Sequence, residues 1–262
     1  MVDILSKVKI GKCGFRDIEK LVAEYYINNR IIVDSFWEGH IREGNHYKIM
    51  YQDNIVGYFS INKQTVLVLF YIFEEYRNIS QELFTIIRKF ESVKEALIPT
   101  GDEFFISHAI DNYIRIEKQA YFSMYSDKNP KKIIPLELKL ADIEKDIEIL
   151  NLCHDFLNDI IEDSKKVSGI EIYIVKHENT IIGFGIIHYQ EIVNIYASIG
   201  MIVIEDYRQK GYGANILYQL SNIVKSKEKQ AISGCWYYNH LSKKTTESAG
   251  GYSKTRLLKF YF

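Results

Sequence analysis

Two periodicities alternate along this chain. Val66 to Phe73 is an unbroken apolar run of strand length, and Gly169 to Lys176 (GIEIYIVK) alternates as a half-buried strand does. Ile181 to Tyr189 and Ile195 to Ile204 read as two more strands. Helical spacing appears at Leu83, Ile86, Ile87 and Phe90, and at Ile143, Ile147, Leu150 and Phe156-Leu157. It returns at Ile216, Leu217, Leu220, Ile223 and Val224, within a helix predicted from Gly211 to Lys225. Ala231 to Tyr238 then reads as a strand, Ser242 to Ser248 as a short helix, and Lys254 to Phe262 as a last strand. Helix, three strands, helix, strand, helix, strand is an α/β order with a mixed sheet.

The pattern occurs twice. Phe73-Glu74-Glu75-Tyr76-Arg77 recurs as Ile204-Glu205-Asp206-Tyr207-Arg208, each copy after a β-rich run and before a helical one. Upstream, Gln52-Asp53-Asn54-Ile55-Val56-Gly57 matches Glu178-Asn179-Thr180-Ile181-Ile182-Gly183, a polar hairpin turn entering a strand in both. The stretch from Ser126 to Pro135 holds two of the three prolines, which suit neither helix nor central strand. Two halves are therefore expected, 1–129 and 130–262, each of ordinary domain size.

Composition narrows the function classes. A formal charge of −1 gives no basic field to hold nucleic acid. The eight-residue run from Val66 is too short to cross a bilayer, which needs about 20 apolar residues, so no membrane partner is expected. Met1 to Lys7 lacks a basic stretch followed by an apolar one, so no secretory leader is expected and the chain is assigned to the cytoplasm. Cys13, Cys153 and Cys235 are odd in number and far apart, with neither disulfide nor zinc spacing; they are expected to be reduced, mostly buried thiols, and no metal is predicted.

Chemistry concentrates at Arg208-Gln209-Lys210-Gly211-Tyr212-Gly213, between a strand and a helix start. Helix N-termini offer unpaired N–H groups and the positive end of the dipole to an anion. Gly211 and Gly213 let the backbone approach it closely, so a pyrophosphate suits this geometry. A nucleotide-triphosphate loop would need a Lys-Ser/Thr pair that is absent.

The run Ser198 to Gly213 (SIGMIVIEDYRQKGYG) resembles the strand–loop–helix signature of the GNAT N-acetyltransferases. Gly234 to Ser242 (GCWYYNHLS) resembles that family's next element, a strand ending in N-x-x-S/A, and Ala249-Gly250-Gly251-Tyr252 resembles its turn before the last strand. The resemblance covers about Ile170 to Phe262 and is closest to two-part members with a degenerate amino-terminal half. It implies tandem GNAT-like domains with the acyl-CoA N-acyltransferase fold in the second. It also implies acetyl-CoA as acetyl donor, with pantetheine on the backbone of Met201, Ile202 and Val203 and pyrophosphate on Arg208, Gln209, Lys210, Gly211, Tyr212 and Gly213. Asn239 and Ser242 match cofactor-side positions, Asn239 being also a natural strand-end cap.

The implied reaction is attack of a neutral amine on the thioester. An alkyl ammonium has a pKa of about 10.4, so a base must take a proton. Ser198 stands where the family often has Glu, leaving Glu171, His188 and Glu191 as candidates. Thr246 stands where many members have a tyrosine acid, leaving Tyr238, Tyr237 and Tyr252. The expected acceptor is a small-molecule or peptide amine, and the protein is expected to be a monomer or homodimer. A non-catalytic CoA-binding or interaction module is the alternative, and another acyl or aminoacyl donor a more distant one. Aligning Arg77 on Arg208 places Ser80 at Gly211 and Glu82 at Gly213, so the first half is expected to lack a cofactor site.

Overall fold

Turn chemistry shapes both halves in the same way. The structure, a computed structural model, describes residues 4, 6–63, 65–90, 93–166 and 168–262; of the stretch Met1–Lys7, where no secretory leader was expected, residues 1–3 and 5 lie outside it. β1 (Val8–Cys13), β2 (Asn45–Tyr51), β3 (Asn54–Asn62) and β4 (Val66–Ile72) pair antiparallel in succession. α1 (Glu19–Asn28) and α2 (Ser35–Arg42) intervene between β1 and β2. A 3-10 turn (Glu74–Ile79), α3 (Ser80–Arg88), β5 (Glu95–Pro99), α4 (Glu103–Ile110) and β6 (Arg115–Tyr125) follow.

The order then repeats. β7 (Glu137–Leu140), α5 (Ile147–Leu150) and α6 (His154–Lys166) lead into β8 (Ile170–His177), β9 (Thr180–Tyr189) and β10 (Tyr196–Val203). A 3-10 turn (Glu205–Tyr207), α7 (Tyr212–Ser226), β11 (Gln230–Trp236), α8 (His240–Ser248) and β12 (Gly251–Tyr261) complete the chain. The fold is a mixed α/β one in which the same order of elements occurs twice, as the sequence implies.

Details of the repeat survive at the backbone. Gln52-Asp53 and Glu178-Asn179 both turn with positive φ, at 50° and 65° in the first hairpin and 49° and 65° in the second, the geometry of tight two-residue hairpins. Gly57 and Gly183 sit at the same place: a Cβ would lie 2.3 Å from the Tyr71 carbonyl oxygen at one and 2.2 Å from that of Ile202 at the other. Both glycines of the repeat are therefore required by close approach of the next strand.

The chain packs as two compact units that are not consecutive stretches. The first comprises Met1–Ala120 with Thr255–Phe262, the second Tyr121–Lys254, a division different from a single cut after residue 129. Within the first the strands run β1-β2-β3-β4-β5-β12, and within the second β6-β11-β10-β9-β8-β7. The chain's last strand thus completes the unit formed by its beginning, with Leu257 against Pro99 and Tyr261 against Glu95. Phe59, Phe70, Phe84, Phe105 and Phe260 are fully buried together there. In the second unit α7 covers one sheet face with Ile216, Leu220 and Val224, and α6 covers the other with Leu157 and Ile161.

Several expectations shift in detail. The helix expected across Ile143–Leu157 breaks into short turns, and α6 runs on to Lys166 because Leu157 and Ile161, one turn apart, face the core. β7 is an edge strand too short and polar to be read from sequence. The three cysteines are unpaired, but all are only half-buried rather than mostly buried; Cys13 is on β1, at the end of its unit's strand order. Among the described residues no helix is long and apolar enough to cross a membrane, and no group of three His, Cys, Asp or Glu side chains gathers as a metal site.

One buried carboxyl links the first unit to pH. Asp102 caps α4, accepting from Phe105 N at 3.1 Å and from the Tyr25 hydroxyl. Burial pushes it up to about 6 against those two donors. An unfolded Asp titrates at about 3.9, so the folded chain binds this proton first. Its contribution is greatest below that value and declines as pH rises through 6. Asp102→Asn keeps an acceptor for both donors without the charge. Its Tm relative to wild type should rise between pH 4 and pH 7; a constant difference would show the carboxyl does not titrate there.

Candidate active site

The second unit opens where two parallel strands part. β10 pairs with β9 along Ala197–Val203, but with β11 only over Tyr196–Ser198. Beyond Ser198 and Ile232 the two strands run on without pairing to each other, to Val203 and Trp236. The β11-facing N–H and C=O groups of Ile199 to Val203 are thereby left for a ligand, and an amide-bearing chain can add to such an edge. A cavity of about 710 Å³ occupies this wedge and reaches the loop before α7.

That loop is shaped by unusual backbone. Arg208 is extended, Gln209 has φ 61° and Gly211 has φ 89°, followed directly by the first residue of α7. Only glycine adopts the last conformation without strain. Gly211 is also the N-cap, so no side chain caps α7, and its first turn carries no acidic residue. Gly211, Tyr212 and Gly213 line the cavity, and the N–H groups of a helix's first turn have no partner within the helix. Arg208 Nε donates to the Val203 carbonyl at 3.0 Å, tying the loop to the strand end. Gly213 is pressed between elements: a Cβ would lie 3.0 Å from Thr245 Cγ2 and 3.1 Å from Met201 Cε.

Most positions singled out as cofactor-binding line this cavity: Met201, Ile202, Val203, Arg208, Gln209, Gly211, Tyr212, Gly213, Asn239 and Ser242. Lys210 does not. Its amine turns back to the Asp206 carbonyl at 2.9 Å and over the Tyr207 ring. Asn239 is a cap as well as a lining residue, accepting from Ser242 N at 3.0 Å.

Strand alternation sorts the acid–base candidates. Ile199, Met201 and Val203 pack toward α7, so Ser198, Gly200 and Ile202 face the α6 side. His188 pairs with Ser198 and shares its face. Glu171 pairs with Ile187, on the α7 side. There it accepts from Lys227 Nζ at 2.8 Å, Tyr173 Oη at 2.7 Å and Tyr189 Oη at 3.1 Å. Burial raises its carboxyl, but these donors outweigh it and hold the group below the usual range. Lys227 lies just beyond the last residue of α7, about 22 Å along the helix from the glycine loop. Glu171→Gln should therefore lower Tm by about 2–4 °C while leaving acetyl-CoA affinity unchanged; calorimetric titration showing weakened binding would place Glu171 in the site after all. Tyr238 is half-exposed, meets Trp236 and Tyr237 edge-on, and does not line the cavity.

Two polar groups escaped the sequence reading. Asn215, buried in α7, accepts from Ile134 N at 2.9 Å and donates to the carbonyls of Lys132 and Gly211, fastening the proline-bearing segment beside the glycine loop. Tyr125 of β6 donates to Ser233 Oγ at 2.9 Å. Burial pushes its phenol up to about 12, opposed by its hydrogen bonding with Ser233 and Thr246. Ser233 and Thr246 both line the cavity. No sequence signal links residues so far apart; an Asn inside a helical apolar pattern was the one available hint for Asn215.

The corresponding region of the first unit differs. β4 and β5 also pair in parallel only at their starts, but the 3-10 turn runs straight into α3, with no positive φ between Phe73 and Arg88. Ser80 Oγ is held by the Arg77 carbonyl and His108 Nε2, both at 2.7 Å, and Glu82 lies in the first turn of α3. Phe104 stacks on Phe70, and Arg77 lies over the Phe104 ring.

Residues 15–126 match a family model described as an acetyltransferase (GNAT) domain, and residues 139–248 match that of the acetyltransferase (GNAT) family. No curated protein matches the chain at significant similarity. Among solved structures, an acetyltransferase of the GNAT family from Colwellia psychrerythraea is similar over 97% of this chain and 99% of its own, with TM-score 0.83 and 21% identity. A GCN5-related N-acetyltransferase from Sphaerobacter thermophilus covers 97% and 95%, with TM-score 0.62 and 11% identity. A tandem GNAT protein from the clavulanic acid biosynthesis pathway covers 97% of each, with TM-score 0.59 and 12% identity. At these identities the likeness is one of fold.

Proposed function

Since the chain belongs to the GNAT acetyltransferase family in both of its halves, we propose that its second unit transfers the acetyl group of acetyl-CoA to a primary amine. The observation that carries this reading is the wedge between β10 and β11, ending at an uncapped helix start with Gly211 at φ 89°. The pyrophosphate lies on the N–H groups of that start. Pantetheine adds to the open edge of Met201 to Val203, and an N–H there polarises the thioester carbonyl. Arg208 and Lys244, the charged lining residues, meet phosphate oxygens.

The neutral amine nitrogen attacks the thioester carbon, forming the C–N bond. The C–S bond then breaks, and the nitrogen gives up one proton while the leaving thiolate gains one. His188, on the face shared with Ser198 and Gly200 but outside the cavity lining, receives the proton through water in this reading. At the sulfur, Ser233 and Thr246 hydroxyls backed by Tyr125 stand in for the tyrosine that position 246 lacks. The first unit, with Ser80 engaged and Phe104 packed on Phe70, binds no cofactor in this reading.

Acetyl-CoA at a hundred times its Kd should stabilise the native state by about 2.7 kcal/mol, and free thiol should appear when an amine is added. No change in Tm with millimolar acetyl-CoA would overturn the binding site. Binding without thiol release from any amine would favour a non-catalytic CoA-binding module.

A further inference from the structure

The α6 side of the wedge has a composition that selects among amines. Gly200 faces it, and a Cβ there would meet nothing within 4 Å, so open space stands over the strand beside the thioester path. Phe156 of α6, Ile202 and Trp236 line the cavity around this space. Phe156 is 46% and Trp236 61% exposed, large apolar surfaces left to water beside a cavity, as a site awaiting an apolar ligand leaves them. Strand alternation from Ala231, which packs under α7, puts Trp236 on the Gly200 side. Among the described residues lining the cavity the charged ones are Arg208 and Lys244, both cations; no carboxylate is present to pair with a second ammonium.

Building on the acetyltransferase reading, we infer that the acceptor is a monoamine on an aromatic or branched aliphatic body. That body lies over Gly200 between Phe156, Ile202 and Trp236 and presents its nitrogen to the thioester. Burying it recovers the apolar area that Phe156 and Trp236 now expose. A diamine or polyamine would bring a second ammonium among Phe156, Ile202 and Trp236, where the described lining offers no carboxylate to pair with it and its burial would go uncompensated. The reaction is the balanced transfer described above: amine and acetyl-CoA give the N-acetyl amine and CoA, and the acceptor's body takes no part in bond changes.

The test compares 2-phenylethylamine with 1,4-butanediamine as acceptors for the full chain, reading thiol release and, with CoA present at saturation, amine binding by calorimetry. We expect kcat/KM to favour 2-phenylethylamine by about tenfold or more, the span one apolar contact commonly supplies. Trp236→Ala, at an exposed position that leaves folding intact, should erase most of that preference. Gly200→Phe should remove 2-phenylethylamine turnover while acetyl-CoA still raises Tm. Equal or better use of butanediamine, or an unchanged preference in Trp236→Ala, would overturn the inference and leave the acetyltransferase reading standing. If neither amine is turned over, Trp236-dependent binding of 2-phenylethylamine to the CoA complex would keep the apolar site and defeat the enzyme reading. Absence of such binding would overturn the inference.

Discussion

Removal of Thr255–Phe262 is expected to unfold the first unit. These eight residues are remote in sequence from the unit they complete, yet Leu257 is 7% exposed and Phe260 is not exposed at all. Phe260 joins the cluster of Phe59, Phe70, Phe84 and Phe105, and the strand carrying it pairs with β5 from Leu257 to Tyr261. Truncating a buried Phe to Ala alone costs about 3–5 kcal/mol, against a typical domain stability of about 5–15 kcal/mol. Losing the strand's hydrogen bonds and its other apolar side chains adds to that and exposes the β5 edge to other chains. Hydrogen exchange should show amides of β4 and β5 exchanging freely in the truncated chain, and protection equal to wild type would refute the strand's role. A fragment beginning at Lys131 should aggregate for the complementary reason: it lacks Tyr121–Tyr125 of β6, the neighbour of β11 in the second unit.

Gly213→Glu should abolish stabilisation by acetyl-CoA. The carboxylate would stand in the first turn of α7, where the dipole and the free N–H groups attract an anion, and would repel the pyrophosphate at short range. It reproduces the arrangement of the first unit, where Glu82 occupies the first turn of α3. The new Cβ must also displace Thr245 Cγ2 and the Met201 side chain by a few tenths of an ångström. Both are side-chain ends rather than backbone, so Tm should fall by several degrees with the fold retained. Circular dichroism on the variant checks the fold; a wild-type rise in Tm with acetyl-CoA would locate the phosphates elsewhere.

The sequence by itself determined the local chemistry of this protein. Positive-φ turns at Gln52-Asp53 and Glu178-Asn179, close-packed Gly57 and Gly183, and the Gly211 start of α7 each follow from short segments whose backbone demands restrict the residue allowed. The repeat, the strand–loop–helix at Arg208 and the loss of its glycines at Ser80 and Glu82 were legible for the same reason. Acid–base assignment was not, because it depends on which sheet face a side chain takes and which partners reach it. Glu171 looked as available as His188 until pairing placed it with Lys227, Tyr173 and Tyr189. Tyr125 gave no signal, since its partner Ser233 is 108 residues away. The course of the last strand was equally hidden: Gly251–Tyr261 is apolar enough to pair with any open edge, and only the geometry of β5 and the space beside Phe84 and Phe105 assigned its end to the first unit. Pairing between distant strands is decided by complementary edges and shared burial, which no local window of residues contains.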